Sequence, residues 1–368
     1  NVAELRRMIA DGVSFELLDV GAARASNAAV TGLALRDPLV TTDRDVVVEA
    51  EVRDFGSSDS STKRIEFLLD GRKVAEQSIE LPANGRAVAS ASFRCDGPGP
   101  HVLEAVLHTD GLELDNHRWL SFDVRDRVRV LCVEGRPGEA RYVALALESQ
   151  NGGKKNVQVE VDAEHALVDR ELTDFDLICL CNVGRVAAAE AKAIRSALEQ
   201  GVGVAVFLGD ELRWEDYRET LASDGPRRVL PARPSAPSPV GVYRFVAGEY
   251  RDPLVAPFRG QERAGLLSTP VWKYVPLEPA SSSARIALTF DDGRPAIVHE
   301  RIGRGLSTLF ATAASPDSLD RSTTPPTPWS AWATWPSFLP IVQQTLRLSL
   351  ATRSEDRNVT VGGEWTFA

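Results

Sequence analysis

Apolar and polar positions alternate with a period of two through much of the chain's first third. Val46–Val52, Arg64–Leu69, Val88–Phe93 and His101–Leu107 all follow this pattern, and Asp70-Gly71, Asn84-Gly85 and Asp96–Pro100 supply turn chemistry between them. Short, evenly spaced strands of this kind predict an immunoglobulin-like β-sandwich over residues 31–126, without the Cys…Trp…Cys core of antibody domains. Ahead of it, Val2–Ala10 has helical spacing that stops at Asp11-Gly12, and Val13–Val20 partly alternates. A helix and a strand cannot bury their apolar faces alone, so residues 1–30 read as the tail of a preceding α/β domain.

From Val128 the rhythm changes to apolar strands alternating with helices. Strands are expected at Val128–Val133, Val157–Val161, Leu177–Leu180, Val202–Leu208 and Gly305–Thr312. Helices are expected through about Glu148, over Ala187–Glu199 and at Phe338–Leu350. That alternation predicts a doubly wound parallel sheet of the flavodoxin-like class over 127–352, followed by a tail at 353–368. Pro226–Pro239 reads as a loop, and the stretch from about 240 to 300 as an irregular β-rich insertion with strands near Val271–Val275, Ile286–Phe290 and Ala296–His299.

Composition narrows the possible partners. A net charge of −10 and a pI near 5.2 exclude a phosphate-binding nucleic-acid surface. No run of about 18 apolar residues is available to span a bilayer. The four cysteines (Cys95, Cys132, Cys179 and Cys181) form no disulfide framework and no zinc spacing, and they read as small apolar core residues. The five histidines are scattered without metal-ligand spacing. No metal and no cofactor are expected.

Chemistry is expected just beyond the carboxyl ends of parallel strands. Glu134 and Gly135, in a Gly-rich turn after the first such strand, and Asp210 and Trp214, after the fourth, are the candidate crevice residues. The acidic Glu134 argues against a phosphate cradle there. Asp291-Asp292 is a conspicuous carboxylate pair, but its Asp-Gly step between two strands reads as a hairpin turn.

Two segments carry a family resemblance. Ala205-Val-Phe-Leu-Gly209 lies where class I glutamine amidotransferase-like domains have a Gly-x-Cys-x-Gly nucleophile elbow. Ala314-Ser-Pro-Asp317 resembles a remnant of their His-Pro-Glu segment. The resemblance sets Phe207 at the Cys position and Ser315 at the His position, and only the acid, Asp317, survives. Phe cannot attack a carbonyl and Ser cannot replace imidazole as the base, so glutaminase chemistry is expected to be lost.

More broadly, Asp11–Gly21, Asp115-Asn-His-Arg-Trp119, Val130–Gly135 and Arg301–Leu306 resemble segments of bacterial membrane-anchored proteins with a von Willebrand factor A domain, of the aerotolerance (Bat) type. That resemblance implies a pseudoenzyme module, membrane-associated through segments outside this sequence. Its implied work is interaction or scaffolding, with a MoxR-type ATPase and other A-domain proteins as partners. Two alternatives stay open: a hydrolase or transferase with a non-standard nucleophile among Ser315, Cys132 and Asp210, or a small-ligand sensor using the same crevice.

Overall fold

The computed structural model describes residues 27–355 and Asn358, apart from residues 43, 57, 109–111, 150–156, 224, 226, 247 and 261–264. The expected A-domain tail lies outside the described residues up to 26, and residues 27–30 belong to the first strand described below. Beyond 355 the expected C-terminal tail also lies outside them, Asn358 excepted. The chain packs as two compact units. One combines the chain up to Ala34 with Val48–Ala91 and Leu103–Leu120; the other combines Leu35–Val47, Ser92–Val102 and everything from Ser121 onward.

Seven strands make the β-sandwich: β1 (Asn27–Leu35), β2 (Val46–Phe55), β3 (Ser61–Leu69), β4 (Arg72–Leu81), β5 (Arg86–Phe93), β6 (Gly99–His108) and β7 (His117–Val124). They form a three-stranded sheet, β1-β2-β5, and a four-stranded sheet, β4-β3-β6-β7. Val48, Ala50 and Val52 of β2, Ile65 and Phe67 of β3, and Leu103, Ala105 and Leu107 of β6 are buried, while the residues between them are not. One buried face per sheet is what two packed layers require. Asp70 and Gly71 join β3 to β4 with φ of 49° and 78°, as a tight hairpin needs. The Asn84 and Asp96 turns instead carry the chain from one sheet to the other.

The second unit continues with β8 (Val128–Glu134), α1 (Arg141–Glu148), β9 (Val157–Ala163), α2 (Ala166–Asp169), β10 (Leu177–Cys181), α3 (Ala188–Glu199), β11 (Gly203–Phe207) and α4 (Trp214–Thr220). Next come β12 (Ala232–Pro234), β13 (Phe245–Val246), β14 (Leu277–Pro279), β15 (Arg285–Phe290), β16 (Pro295–Ile302) and β17 (Gly305–Phe310). A small ribbon, β18 (Leu319–Asp320) with β19 (Thr327–Pro328), and the helix α5 (Phe338–Glu355) complete it.

The flavodoxin-like, doubly wound parallel fold class expected from the sequence is corrected here. Strand makes up 41% of the structure and helix 19%, so the molecule is β-rich. Its large sheet is mixed, in the order β13-β15-β16-β17-β11-β10-β8-β9. β9, β8, β10, β11 and β17 run parallel, and β16, β15 and β13 extend the sheet antiparallel. The physical reason lies at β17. Its outer edge carries unpaired backbone groups that need a partner, and Gly303-Arg304 turns the chain directly back from β16 onto it, with Ile302 opposite Gly305. The supposed insertion therefore supplies sheet strands. It read as irregular because β15 pairs with shifted register between Ile286 and Thr289. Val271–Val275 is no strand; Val271 makes only isolated bridges to Tyr243 and Ser330. The expected loop at Pro226–Pro239 contains β12, which pairs with β14.

β10, β11 and β17 are buried along their whole length, as strands covered on both faces must be. Phe207, at the end of β11, stacks on Phe310 of β17 with centroids 4.2 Å apart and planes 6° from parallel. Phe338 at the start of α5 lies 6.4 Å from the same ring. This aromatic cluster anchors the closing helix under the carboxyl ends of the central strands.

Candidate functional site

Beyond those carboxyl ends the chain builds a buried polar cluster. The turn after β8 contributes Arg136 and Glu139, the end of β10 contributes Asn182, and the turn after β11 contributes Asp210 and Glu211. The segment entering and leaving β18 contributes Ser318 and Arg321. Asn182 has a left-handed φ of 51°, a conformation Asn accepts more readily than most residues. Its Nδ2 donates to Asp210 Oδ1 (2.8 Å), Glu139 Oε1 (3.0 Å) and Ser318 Oγ (3.2 Å), and its Oδ1 accepts the Glu211 N–H (3.1 Å). The approach is close enough to demand glycine at two points. A Cβ on Gly209 would lie 2.3 Å from Asn182 Oδ1, and one on Gly135 would lie 2.1 Å from the Asn182 carbonyl oxygen.

Arg136 is the electrostatic centre. It donates to Asp210 Oδ1 (2.7 Å) and Oδ2 (3.1 Å), to Glu139 and to Glu211 Oε1 (2.9 Å). Arg321 adds a second cation at Asp210 Oδ2 (2.8 Å). Glu139 is 3% exposed and the Asp210 side chain 6%. Burial disfavours the charged form of Asp210, but the Asn182 hydrogen bond and the two guanidiniums outweigh it and hold the carboxyl below its ordinary range. Burial likewise works against the Arg136 cation, and the bonds to Glu139 and Asp210 reverse that and push its pKa up. Both carboxylates stay charged and engaged. The arrangement fixes four loop segments to one another and has no proton poised for transfer.

The sequence-predicted residues distribute unevenly over this site. Asp210 lies at its heart. Glu134 does not join it, because its Oε2 accepts the Gly138 (2.9 Å) and Ala140 (3.2 Å) N–H groups and so braces the turn ahead of α1. Gly135 donates its N–H to the Cys181 carbonyl (3.1 Å) and matters for its missing side chain. Trp214 opens α4, half-buried, away from the hydrogen bonds of the cluster. Phe207 is core, at 2% exposure. Ser315 is buried and accepts the Asp317 N–H (3.2 Å), and exposed Asp317 offers its carbonyl to Arg136 (3.4 Å).

The nucleophiles considered for an enzyme fare poorly. Cys132 is fully buried in mid-strand. The thiol of Cys179 is pushed well up by its hydrogen bond with Cys132 and by burial, and that of Cys181 by burial first. None is a thiolate in waiting. Asp291-Asp292 forms the turn between β15 and β16, with Asp292 accepting from Arg294 N–H (3.0 Å) and from the Tyr274 hydroxyl.

Sequence reasoning passed over Arg136, Glu139, Asn182, Ser318 and Arg321. Two signals were available: an Arg–Glu pair three residues apart in the turn after β8, and a polar Asn directly closing the apolar run of β10. Ser318 and Arg321 gave none, since the ribbon that returns them is two residues long on each side.

No helix among the described residues is long and apolar enough to cross a membrane. No protein-family model matches the chain. No curated protein matches it either. Among solved structures, it is similar to the cytoplasmic protein STM3548 of Salmonella typhimurium, at 14% identity and a TM-score of 0.45 over 60% of this chain and 98% of that one. A second cytoplasmic protein of the same organism, STM1381, matches at 13% identity and a TM-score of 0.44, over 68% of this chain and 96% of its own. The CARDB domain of PF1109 from Pyrococcus furiosus, solved with two metal ions, matches 30% of this chain and 99% of its own at 13% identity and a TM-score of 0.25.

Proposed function

We propose that this chain is a non-catalytic interaction or scaffolding module of a bacterial, membrane-anchored protein of the von Willebrand factor A, aerotolerance type, with a MoxR-type ATPase among its partners. One observation carries the reading: at the carboxyl edge of the parallel strands, the Arg136–Glu139–Asn182–Asp210–Ser318 cluster spends its charges on itself above a core sealed by Phe207. A hydrolase needs a nucleophile next to a base and an accessible space beside them. Here the hydroxyl in the cluster, Ser318, faces a carboxylate already paired with arginine. In the sandwich, Leu114 is 86% exposed and Trp119 56%, and apolar side chains held in water are what a partner protein covers.

Two measurements test this. Glutamine hydrolysis by the purified chain is expected to match a protein-free control; turnover that disappears on Ser318→Ala or Cys181→Ala overturns the reading. Titration with a purified MoxR-type ATPase and ATP is expected to give saturable binding that Trp119→Ala weakens about tenfold or more, as removal of an interface Trp does. Absence of binding removes the partner assignment.

A further inference from the structure

The antiparallel extension of the large sheet carries a second, differently built site. Arg285 of β15 is the cross-strand partner of His299 on β16, and Arg301 lies two residues further along β16. Cross-strand partners and residues two apart share a sheet face, so the two guanidiniums and the imidazole stand on one side. That side forms a pocket of about 370 Å³, also lined by Ser283, Glu300 and, from α5, Thr352. The volume suits a small ligand.

Its acidic neighbours are already engaged. Asp252 meets His299 Nε2 at 2.8 Å, and both side chains are almost fully buried. One oxygen of Glu300 accepts from Arg228, Ser281 and Ser283, each at 2.7 Å. Arg285 and Arg301 are exposed. Arg301 Nε also donates to the Gly303 carbonyl at 3.3 Å, which steadies its stem. With the carboxylates committed to partners, the pocket keeps two cationic forks in a chain whose net charge is −10.

We propose that this pocket binds a small oxyanion, a phosphate or carboxylate group, held between Arg285 and Arg301 over the His299–Asp252 pair. Guanidinium forks match such oxygen pairs two at a time, and charge-assisted bonds of this kind are the strong ones.

The test is calorimetric titration of the purified chain at fixed ionic strength, with inorganic phosphate in one arm and succinate in the other. Saturable heat is expected in at least one arm, and the arm that responds tells phosphate from carboxylate. Arg285→Ala or Arg301→Ala is expected to weaken it about tenfold or more, the loss of one charge-assisted bond. Arg285→Lys keeps the charge without the fork and weakens it less. Arg185→Ala, an equal change of charge on the exposed Arg185, leaves it unchanged. Silence in both arms overturns the proposal, as does binding that survives the Arg285→Ala, Arg301→Ala double variant. A folded-state signal for each variant is read from its unfolding midpoint before titration.

Discussion

The two ends of the large sheet use arginine in opposite ways. At the carboxyl edge of β8, β10 and β11, Arg136 is surrounded by Glu139, Asp210 and Glu211, and Asn182 and Ser318 complete their hydrogen bonding. On the β15–β16 extension, Arg285 and Arg301 reach into an open pocket whose carboxylates are held by other residues. The first arrangement is internally neutralised. Taking charges out of water costs several kcal/mol, and only close partners return it. Such a cluster fixes loops and is sensitive to the loss of any one member. In the second, the charged heads remain in water, so losing one should hardly affect folding and should matter only to whatever the pocket takes.

The comparison can be broken by stability measurements. The largest effect is expected beneath the first site. Phe207→Ala removes a ring stacked on Phe310, and buried Phe→Ala changes cost about 3–5 kcal/mol. A urea-unfolding loss below about 1 kcal/mol would mean that this strand end is loosely packed and the core is not sealed there.

Acid comes next. Asp320 is lowered to about 2, first by its hydrogen bond from Lys273 and then by those from Ser322, and Asp210 is lowered as well. A carboxyl whose folded pKa lies below its unfolded value, about 3.9 for Asp, contributes stability above that value and loses it as pH falls through the folded one. The urea midpoint should therefore drop between about pH 4 and pH 2. Asp320→Asn should flatten part of that drop; an unchanged slope would show that the Lys273–Asp320 pair contributes nothing.

The smallest effect belongs to the open pocket. Arg285→Ala should shift unfolding by no more than about 0.5 kcal/mol, as exposed substitutions do. A loss comparable to that of Phe207→Ala would erase the distinction between the two ends.

How much of this was legible in the sequence follows from how local each signal is. The strands of the parallel half, from Val128 to Phe207 and again at Gly305–Phe310, were legible because unbroken apolar runs bounded by Gly and polar helices have few other readings. The hairpin at Asp70-Gly71 was legible from two residues. The mixed character of the sheet was not, because it depends on which strand β17 pairs with, and only the two residues Gly303-Arg304 announce that pairing. Of the candidate site, Asp210 was found because it follows a strand end. Asn182 and Arg136 follow strand ends too, but Asn182 is a lone polar residue and Arg136 sits in a turn whose glycines drew attention to phosphate. Ser318 and Arg321 become neighbours of Asp210 only through tertiary folding, more than 100 residues along the chain.

The central claim is that Arg136 and Asp210 serve each other and not a substrate. A double-mutant cycle of Arg136→Ala and Asp210→Ala, read by urea unfolding, tests it most directly. The account predicts a coupling of about 2 kcal/mol, within the range for residues sharing one buried network. Losses that add to within about 0.5 kcal/mol, the behaviour of independent sites, would contradict it.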